Sequence, residues 1–158
     1  MFKYRYVHGK VVSSILTIDL FNKLLSRLKD LWVRKNLNKK QTEIFIKNCY
    51  KFYFLKTKKR IKQFFLSSKK TDKENYINGV KIPKLSILIK KVKWSKFTRG
   101  IPGSFHGDLH FENIVYNKSK NKFTFLDWRQ DFENDLRVGD IYYDLAKLMH
   151  GIIVSHEH

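Results

Sequence analysis

The segment from His106 to Asp127 constrains the fold of this 158-residue chain more than any other part of it. His106, Asp108 and Asn113 have the spacing H-x-D-x-x-x-x-N, and Asp127 follows fourteen residues after Asn113. Two short apolar runs separated by a polar turn lie between Asn113 and Asp127, which predicts a strand, a turn and a returning strand. Asp127 is therefore expected at the exit of a β-hairpin that Asn113 precedes.

This spacing is typical of the catalytic loop of phosphotransferases of the protein-kinase type. In such a loop the carboxylate of Asp108 meets the hydroxyl that attacks the γ-phosphate of ATP, and the amide oxygen of Asn113 reaches a Mg²⁺ ion. Asp127 would supply a second metal ligand. Mg²⁺ prefers hard oxygen ligands and keeps several waters, so one carboxylate and one amide suffice when the nucleotide supplies the rest. The sequence therefore predicts ATP and Mg²⁺ as cofactors.

Each of these residues also has a purely structural interpretation. Asp108 could cap a loop, Asn113 could occupy a turn, and Asp127 could be a helix N-cap. The three residue types occur together in this order, with a predicted hairpin between the second and the third. This combination favours the catalytic interpretation over three independent coincidences.

Three runs of sequence resemble the aminoglycoside phosphotransferase and choline kinase-like group of small-molecule kinases. They are FHGDLHFENIVY from Phe105, FLDWR from Phe125 and GDIYYDLAKL from Gly139. Gly107 stands where protein kinases usually carry arginine, which favours this group over the protein kinases. The resemblance is concentrated in residues 104–150. It implies a protein-kinase-like fold and ATP-dependent transfer to a hydroxyl of a sugar, amino alcohol or aminoglycoside-like acceptor.

The resemblance also assigns roles to individual residues. Asp108 would be the catalytic base, Asn113 and Asp127 the metal ligands, and His106 a support of the loop. Further residues in the same runs are candidates for support or substrate contact. Asp140 and Asp144 would stabilise the catalytic loop and the following helix. Three other residues would contact the substrate or support residues that contact it: His110, Trp128 and Arg129.

The first residues of the chain resemble the hinge between the two lobes of such kinases. In Tyr6-Val7-His8-Gly9-Lys10, within a short strand and turn expected over residues 2–13, the backbone of Tyr6, Val7 and His8 would meet the adenine ring. A glycine-rich phosphate loop and a strand lysine do not precede this segment. We therefore expect a C-terminal lobe whose N-terminal lobe is largely absent. Two alternatives stay open: a missing lobe or partner chain completes the kinase, or the chain is an inactive remnant.

Helical periodicity predicts most of the remaining structure. We expect an amphipathic helix over residues 15–35 with Ser13 or Ser14 as its N-cap, and a tight turn at Asn78-Gly79. Further helices are predicted over residues 41–66, 84–91 and 141–150. The predicted fold is α+β, mostly helical with a catalytic-loop β-hairpin. It forms one domain, with a hinge-like segment (1–14), a helical region (15–98) and catalytic and metal-binding loops (99–150).

Charge and composition narrow the function classes further. The formal net charge is +19, and residues 1–100 hold 27 Lys+Arg against 5 Asp+Glu, while residues 101–158 hold 6 against 9. A basic chain attracts nucleic acid, but the abundance of Lys and Asn also fits a bias in gene composition, and no nucleic-acid-binding motif is present. A nucleic-acid-binding module is therefore the third hypothesis.

Cys49 is the single cysteine of the chain, which excludes an internal disulfide. Without a signal peptide or an apolar run of spanning length, we expect a cytoplasmic protein.

Overall fold

The computed structural model describes residues 6–154. The chain divides into two compact units, which we call the discontinuous unit (Met1–Asn38 with Ile101–His158) and the inserted unit (Lys39–Gly100). The elements in chain order are β1 (Lys10–Val11), α1 (Ile18–Leu31), α2 (Lys39–Tyr50), α3 (Lys56–Ser68), β2 (Asn75–Ile77), β3 (Val80–Ile82), α4 (Leu85–Lys91), α5 (Trp94–Phe97), β4 (Pro102–Gly103), β5 (Ile114–Asn117), β6 (Lys122–Phe125), β7 (Gly139–Asp140) and α6 (Ile141–Ile153).

The core of the discontinuous unit lies between α1 and a three-stranded antiparallel sheet of order β1-β5-β6. Leu20, Leu24 and Leu28 recur every four residues along α1, so they form one buried stripe. This stripe belongs to the same cluster as Ile114 of β5 and Leu148 of α6. Complete burial of one such side chain contributes about 1.5–3 kcal/mol. The sheet that carries the candidate site is therefore anchored on its α1 side by packing.

The predicted bounds of α1 were wrong at both ends. The helix begins at Ile18 because Thr17, with extended backbone angles, accepts a hydrogen bond from the Leu20 N–H (3.2 Å). The predicted caps, Ser13 and Ser14, instead belong to a short 3₁₀ turn. The helix ends at Leu31, and the chain beyond it pairs with the segment around β4. Backbone pairing to a distant segment replaces the last predicted helical turn.

The inserted unit contains the second predicted helix in three consecutive pieces. Helices α2 and α3 are joined without a break by a π-helical segment, Lys51–Leu55. The predicted apolar stripe is buried at Phe45, Cys49 and Phe52, but Leu55 is exposed, and α3 contains no buried residue. A π segment adds one residue to a turn and so rotates the face that follows.

The remainder of the inserted unit is a hairpin followed by two short helices. Asn78 and Gly79 form the turn between β2 and β3 with positive φ angles of 49° and 78°, as a two-residue hairpin turn of type I′ requires. Asp72 accepts hydrogen bonds from the Leu85 N–H (2.8 Å) and the Ser86 N–H (3.0 Å) at the start of α4. The turn and the helix were predicted, whereas the strands beside the turn were not.

The fold is mixed helix and strand, as predicted. The hairpin of β5 and β6 is confirmed, and α6 extends three residues beyond the predicted end. Within the short strand and turn expected over residues 2–13, the described strand is Lys10–Val11, and residues 1–5 of the hinge-like segment lie outside the described residues. Within residues 6–154, no helix has the length and apolar character needed to cross a membrane.

Candidate active site

The hairpin places Asp127 beside Asn113. Ile114 of β5 pairs with Phe125 of β6, and the Leu126 N–H extends the pairing by one step with a hydrogen bond to the Asn113 carbonyl (2.8 Å). Asp127 comes next in the chain, with a left-handed φ of 55° that only a few per cent of non-glycine residues adopt. Its exposed carboxylate has no hydrogen bond or ion pair to any residue between 6 and 154.

Asn113 is held by Asp108 through its amide nitrogen. Its Nδ2 donates to the backbone carbonyl of Asp108 (3.0 Å) and lies 3.4 Å from Oδ2 of the same residue. The assignment of nitrogen and oxygen in this amide follows from these acceptors. The opposite atom, Oδ1, forms no hydrogen bond within the described part of the chain. Asp108 and Asn113 are therefore brought together, with one amide oxygen left free for a ligand.

Two basic side chains surround the Asp108 carboxylate. Nζ of Lys147 lies 2.8 Å from Oδ1, and Nε2 of His110 lies 3.4 Å from Oδ2. Burial alone would raise the pKa of Asp108, but the hydrogen bond and charge of Lys147, together with His110, outweigh it and lower the pKa below its ordinary value. Asp108 is therefore an anion at neutral pH.

His110 lies between two carboxylates. Its Nδ1 is 2.8 Å from Oε2 of Glu112, and its Nε2 faces Asp108. Since the shorter contact is to Glu112, this contact fixes the orientation of the imidazole ring. His110 thus lies near Oδ2 of Asp108, whereas Lys147 contacts Oδ1.

His106 is completely buried beneath the loop. Its Nδ1 accepts a hydrogen bond from the Asp108 N–H (3.2 Å), and its ring lies 4.8 Å from the ring of Trp128. Burial lowers the pKa of His106 against the opposing effects of the Leu126 backbone and of the nearby carboxylates. The neutral ring therefore supports the loop and is shielded from solvent.

Asp144 is also completely buried and binds the backbone of the same loop. Its Oδ2 accepts from the His106 N–H (2.7 Å) and from Nε1 of Trp32 (3.1 Å), and its Oδ1 accepts from the Gly107 N–H (2.8 Å). Burial raises the pKa of Asp144, and these hydrogen bonds partly counteract that effect. One carboxylate thus holds two consecutive loop residues.

Gly107 is required at its position in the loop. Its φ is +84°, and a Cβ atom there would lie 2.4 Å from the Cβ of Arg129. A side chain would therefore face both backbone strain and a steric clash. The close approach of Arg129 gives a structural reason for the glycine in the H-G-D sequence.

Asp140 supports α6. Its Oδ1 accepts from the Tyr142 N–H (3.1 Å), which caps the helix, and from the Ile101 N–H (2.9 Å). Asp140 also belongs to β7, which pairs with β4. This residue therefore fixes the start of the helix that carries Asp144 and Lys147.

The remaining predicted residues divide between the loop and the sheet. Arg129 donates its backbone N–H to the His106 carbonyl (2.9 Å), and Nε1 of Trp128 donates to the Phe125 carbonyl (3.0 Å), so both lie at the exit of the hairpin. Tyr6 is 74% exposed, and the His8 carbonyl accepts from Nδ2 of Asn117 at the end of β5. In the described part of the hinge-like segment, His8, Lys10 and Val11 contact β5. The predicted role of Tyr6, Val7 and His8 at adenine remains a prediction.

Sequence reasoning did not single out Lys147. It lies three residues after Asp144 on α6, so the two side chains share one face of the helix. No spacing in the sequence predicts the contact between Lys147 and Asp108, because this contact forms only when α6 packs against the loop. The available signal was the lysine in the D-L-A-K sequence, which is one helical turn beyond the residue predicted to stabilise the loop.

The residues present fit a magnesium ion bound with a nucleotide. Asn113 Oδ1 and the Asp127 carboxylate are hard oxygen donors that have no hydrogen bond in residues 6–154. No group of three or more His, Cys, Asp or Glu residues in that range is arranged to bind a metal without other ligands. One amide oxygen and one carboxylate are the donors that the kinase pattern would require from the protein, with phosphate oxygens and water completing the coordination.

Comparison with known proteins gives one family. Residues 89–156 match the phosphotransferase enzyme family. The match covers less than half of the chain but contains the loop, the hairpin and the whole of α6. It confirms the resemblance that the sequence motifs indicated. No curated protein and no solved structure matches the chain.

Proposed function

We propose that this chain, whose residues 89–156 carry the pattern of the phosphotransferase enzyme family, transfers the γ-phosphate of ATP to a hydroxyl of a small molecule. The acceptor would be a sugar, an amino alcohol or an aminoglycoside-like compound, as the motif resemblance implies. One observation carries the proposal: Asn113 is bonded through its amide nitrogen to Asp108, while its amide oxygen and the neighbouring Asp127 carboxylate have no partner in the described chain.

Asp108 would act on the acceptor hydroxyl. As an anion it accepts a hydrogen bond from the hydroxyl, which orients the attacking oxygen. A bond forms between that oxygen and the γ-phosphorus, and the bond from the γ-phosphorus to the β–γ bridging oxygen breaks with its electrons going to ADP. The hydroxyl proton passes to Asp108. Since the pKa of Asp108 is lowered, its main contribution is orientation of the hydroxyl, with proton acceptance late in the transfer.

Asn113 and Asp127 would hold Mg²⁺. Bound there, the ion would neutralise negative charge on the phosphates. The hydrogen bonds from Nδ2 of Asn113 to Asp108 fix the amide plane, so the side chain would not need to change rotamer for Oδ1 to bind the ion. Asp127 follows directly after the residue paired with Asn113, so the hairpin fixes the two ligands relative to each other.

The buried groups would keep the loop in its active shape. Asp144 binds the backbone on one side of Asp108, and the His106 ring accepts the N–H of Asp108 itself. Preorganisation of this kind lowers the reorganisation needed during the reaction. We further propose that the backbone of Tyr6, Val7 and His8 meets the adenine ring, that an additional lobe or partner chain completes the nucleotide site, and that the protein acts in the cytoplasm.

The test is a phosphorylation screen with Mg-ATP and a panel of sugars, amino alcohols and aminoglycosides. It is run on the chain alone and on a longer protein that also includes any segment encoded directly upstream of it. Asp108→Asn should lower the transfer rate by about 10²–10⁴-fold if Asp108 is the base. Asp30→Asn is the matched control, because Asp30 is an exposed helix residue whose ion pair, within residues 6–154, is to Arg27 on the same helix.

Two results would contradict the proposal in different ways. If Asp108→Asn transfers phosphate at the rate of the unchanged protein, the catalytic assignment of Asp108 is wrong. If neither form transfers phosphate to any acceptor and Mg-ATP causes no thermal shift, the chain is an inactive member of the kinase group.

A further inference from the structure

The fold places the ammonium group of Lys147 beside the carboxylate of Asp108. Its Nζ lies 2.8 Å from Oδ1 of Asp108, and its side chain is only 32% exposed. The ammonium group also lies 5.8 Å from the centre of the Tyr143 ring, on the preceding turn of α6. A lysine that is both ion-paired and partly enclosed has fewer positions available than a solvated surface lysine.

The helix carries Lys147 to the loop in a fixed register. Asp140 caps the start of α6, and Asp144 binds the backbone N–H groups of His106 and Gly107. Lys147 is one turn further on the same face and binds the side chain of the next loop residue, Asp108. Three successive loop residues are therefore bound by two side chains of one helix face.

This position has a chemical consequence for phosphoryl transfer. A hydroxyl bound to Asp108 lies within about 2.6–3.2 Å of its carboxylate, and the phosphorus it attacks lies next to that hydroxyl. The Lys147 ammonium has three N–H donors, and its contact with Oδ1 of Asp108 uses one of them. The flexible stem of lysine lets the other donors turn toward a phosphate oxygen nearby.

We propose that Lys147 is a further catalytic residue, whose ammonium donates a hydrogen bond to an oxygen of the phosphoryl group being transferred. The proposal rests on the proposed kinase function. As the bond to the acceptor oxygen forms and the bond to the ADP oxygen breaks, the lysine stabilises the charge on the transferring group. It gains and loses no proton in the step, since the hydroxyl proton goes to Asp108.

A simpler role would be to position Asp108 alone. In that case loss of the lysine would lower the transfer rate but would leave the binding of ATP relative to ADP unchanged, because only the γ-phosphate distinguishes them. Contact with the transferred group predicts a loss specific to ATP. The two roles therefore separate in a binding measurement that does not depend on turnover.

The experiment measures Mg-ATP and Mg-ADP affinities by calorimetry, together with kcat, for the unchanged protein, Lys147→Gln and Lys147→Arg. Lys29→Gln is the control, since Lys29 is an exposed helix lysine of the same unit. We expect Lys147→Gln to weaken ATP binding by about 10- to 100-fold more than ADP binding, as loss of one charge-assisted hydrogen bond would. We expect kcat to fall, Lys147→Arg to retain part of both properties, and Lys29→Gln to change neither.

The outcomes separate this inference from the proposed function. An unchanged ATP-to-ADP affinity ratio in Lys147→Gln overturns the phosphoryl contact, even if kcat falls. An active protein that loses activity in Asp108→Asn but not in Lys147→Gln overturns the role of Lys147 and leaves the kinase function standing. If the unchanged protein neither binds Mg-ATP nor transfers phosphate, both proposals are wrong.

Discussion

The two units of this protein differ in what their interiors and charges specify. The inserted unit, residues 39–100, holds 19 Lys+Arg and 3 Asp+Glu, whereas the rest of the chain holds 14 and 11. In its described part, the discontinuous unit buries the side chains of His106, Asp140 and Asp144 in addition to its apolar core. In the inserted unit, α3, α4 and α5 contain no buried residue.

This difference shows where the structure restricts which residue types a position accepts. A buried carboxylate needs specific donors, so each residue around it is constrained by identity as well as by size. A half-exposed apolar helix face is satisfied by many side chains. Substitutions should therefore have large and specific effects around the buried carboxylates of the discontinuous unit and small, additive effects on α3, α4 and α5 of the inserted unit.

The largest expected effect is at Asp144. Asp144→Ala leaves the N–H groups of His106 and Gly107 and the indole N–H of Trp32 without their acceptor. Removing the acceptor of a buried polar group costs about 1–3 kcal/mol for each donor, so the loss for three donors should lower the free energy of unfolding by about 3–9 kcal/mol. Urea unfolding of the full chain measures it. A loss below 0.5 kcal/mol, the size of a typical surface substitution, would contradict the comparison.

The second prediction compares one leucine from each unit. Leu24 is fully buried on α1, and Leu66 is 69% exposed on α3. Leu24→Ala should lower the free energy of unfolding by about 2–5 kcal/mol because it leaves a cavity, whereas Leu66→Ala should change it by less than about 0.5 kcal/mol. Thermal unfolding followed by circular dichroism distinguishes them. Equal destabilisation by both variants would mean that another surface covers α3.

The third prediction concerns the start of α1. Thr17→Ala removes the hydroxyl that accepts from the Leu20 N–H, so stability should fall by about 1 kcal/mol. Ser13→Ala is the control, because Ser13 was expected as a cap from sequence and lies instead in the 3₁₀ turn. If the Ser13 variant is destabilised more than the Thr17 variant in denaturant titrations, the start of α1 at Ile18 is wrong.

The smallest effect should be a pH dependence in the inserted unit. Hydrogen bonds from Ser86 and Leu85 outweigh burial and hold the pKa of Asp72 below its ordinary value. A carboxyl whose pKa is lowered on folding stabilises the folded state above the unfolded pKa of about 3.9, and this contribution disappears as the pH falls through the lower folded pKa. The stability difference between the unchanged protein and Asp72→Asn should therefore be present at pH 6 and vanish in acid. A difference independent of pH would contradict this role.

Local patterns predicted much of the candidate site. The spacing from Asp108 to Asn113 and the apolar runs before Asp127 predicted the loop and the hairpin, because both depend on interactions between residues close in the chain. The N-cap of α1 was assigned to the wrong hydroxyl residue. Serines at 13 and 14 and threonine at 17 are all acceptable caps, and sequence alone does not rank them when the preceding segment can form a 3₁₀ turn.

The sequence by itself determined the order of the candidate catalytic residues, the hairpin between two of them and the helix that follows, because these depend on short-range spacing and periodicity. Only the tertiary structure decided which side chains surround Asp108. Asp144 binds the N–H of His106 from 38 residues away, and the packing of α6 in that register brings Lys147 to the carboxylate. Such contacts have no local pattern, because they depend on how the helix packs against the loop.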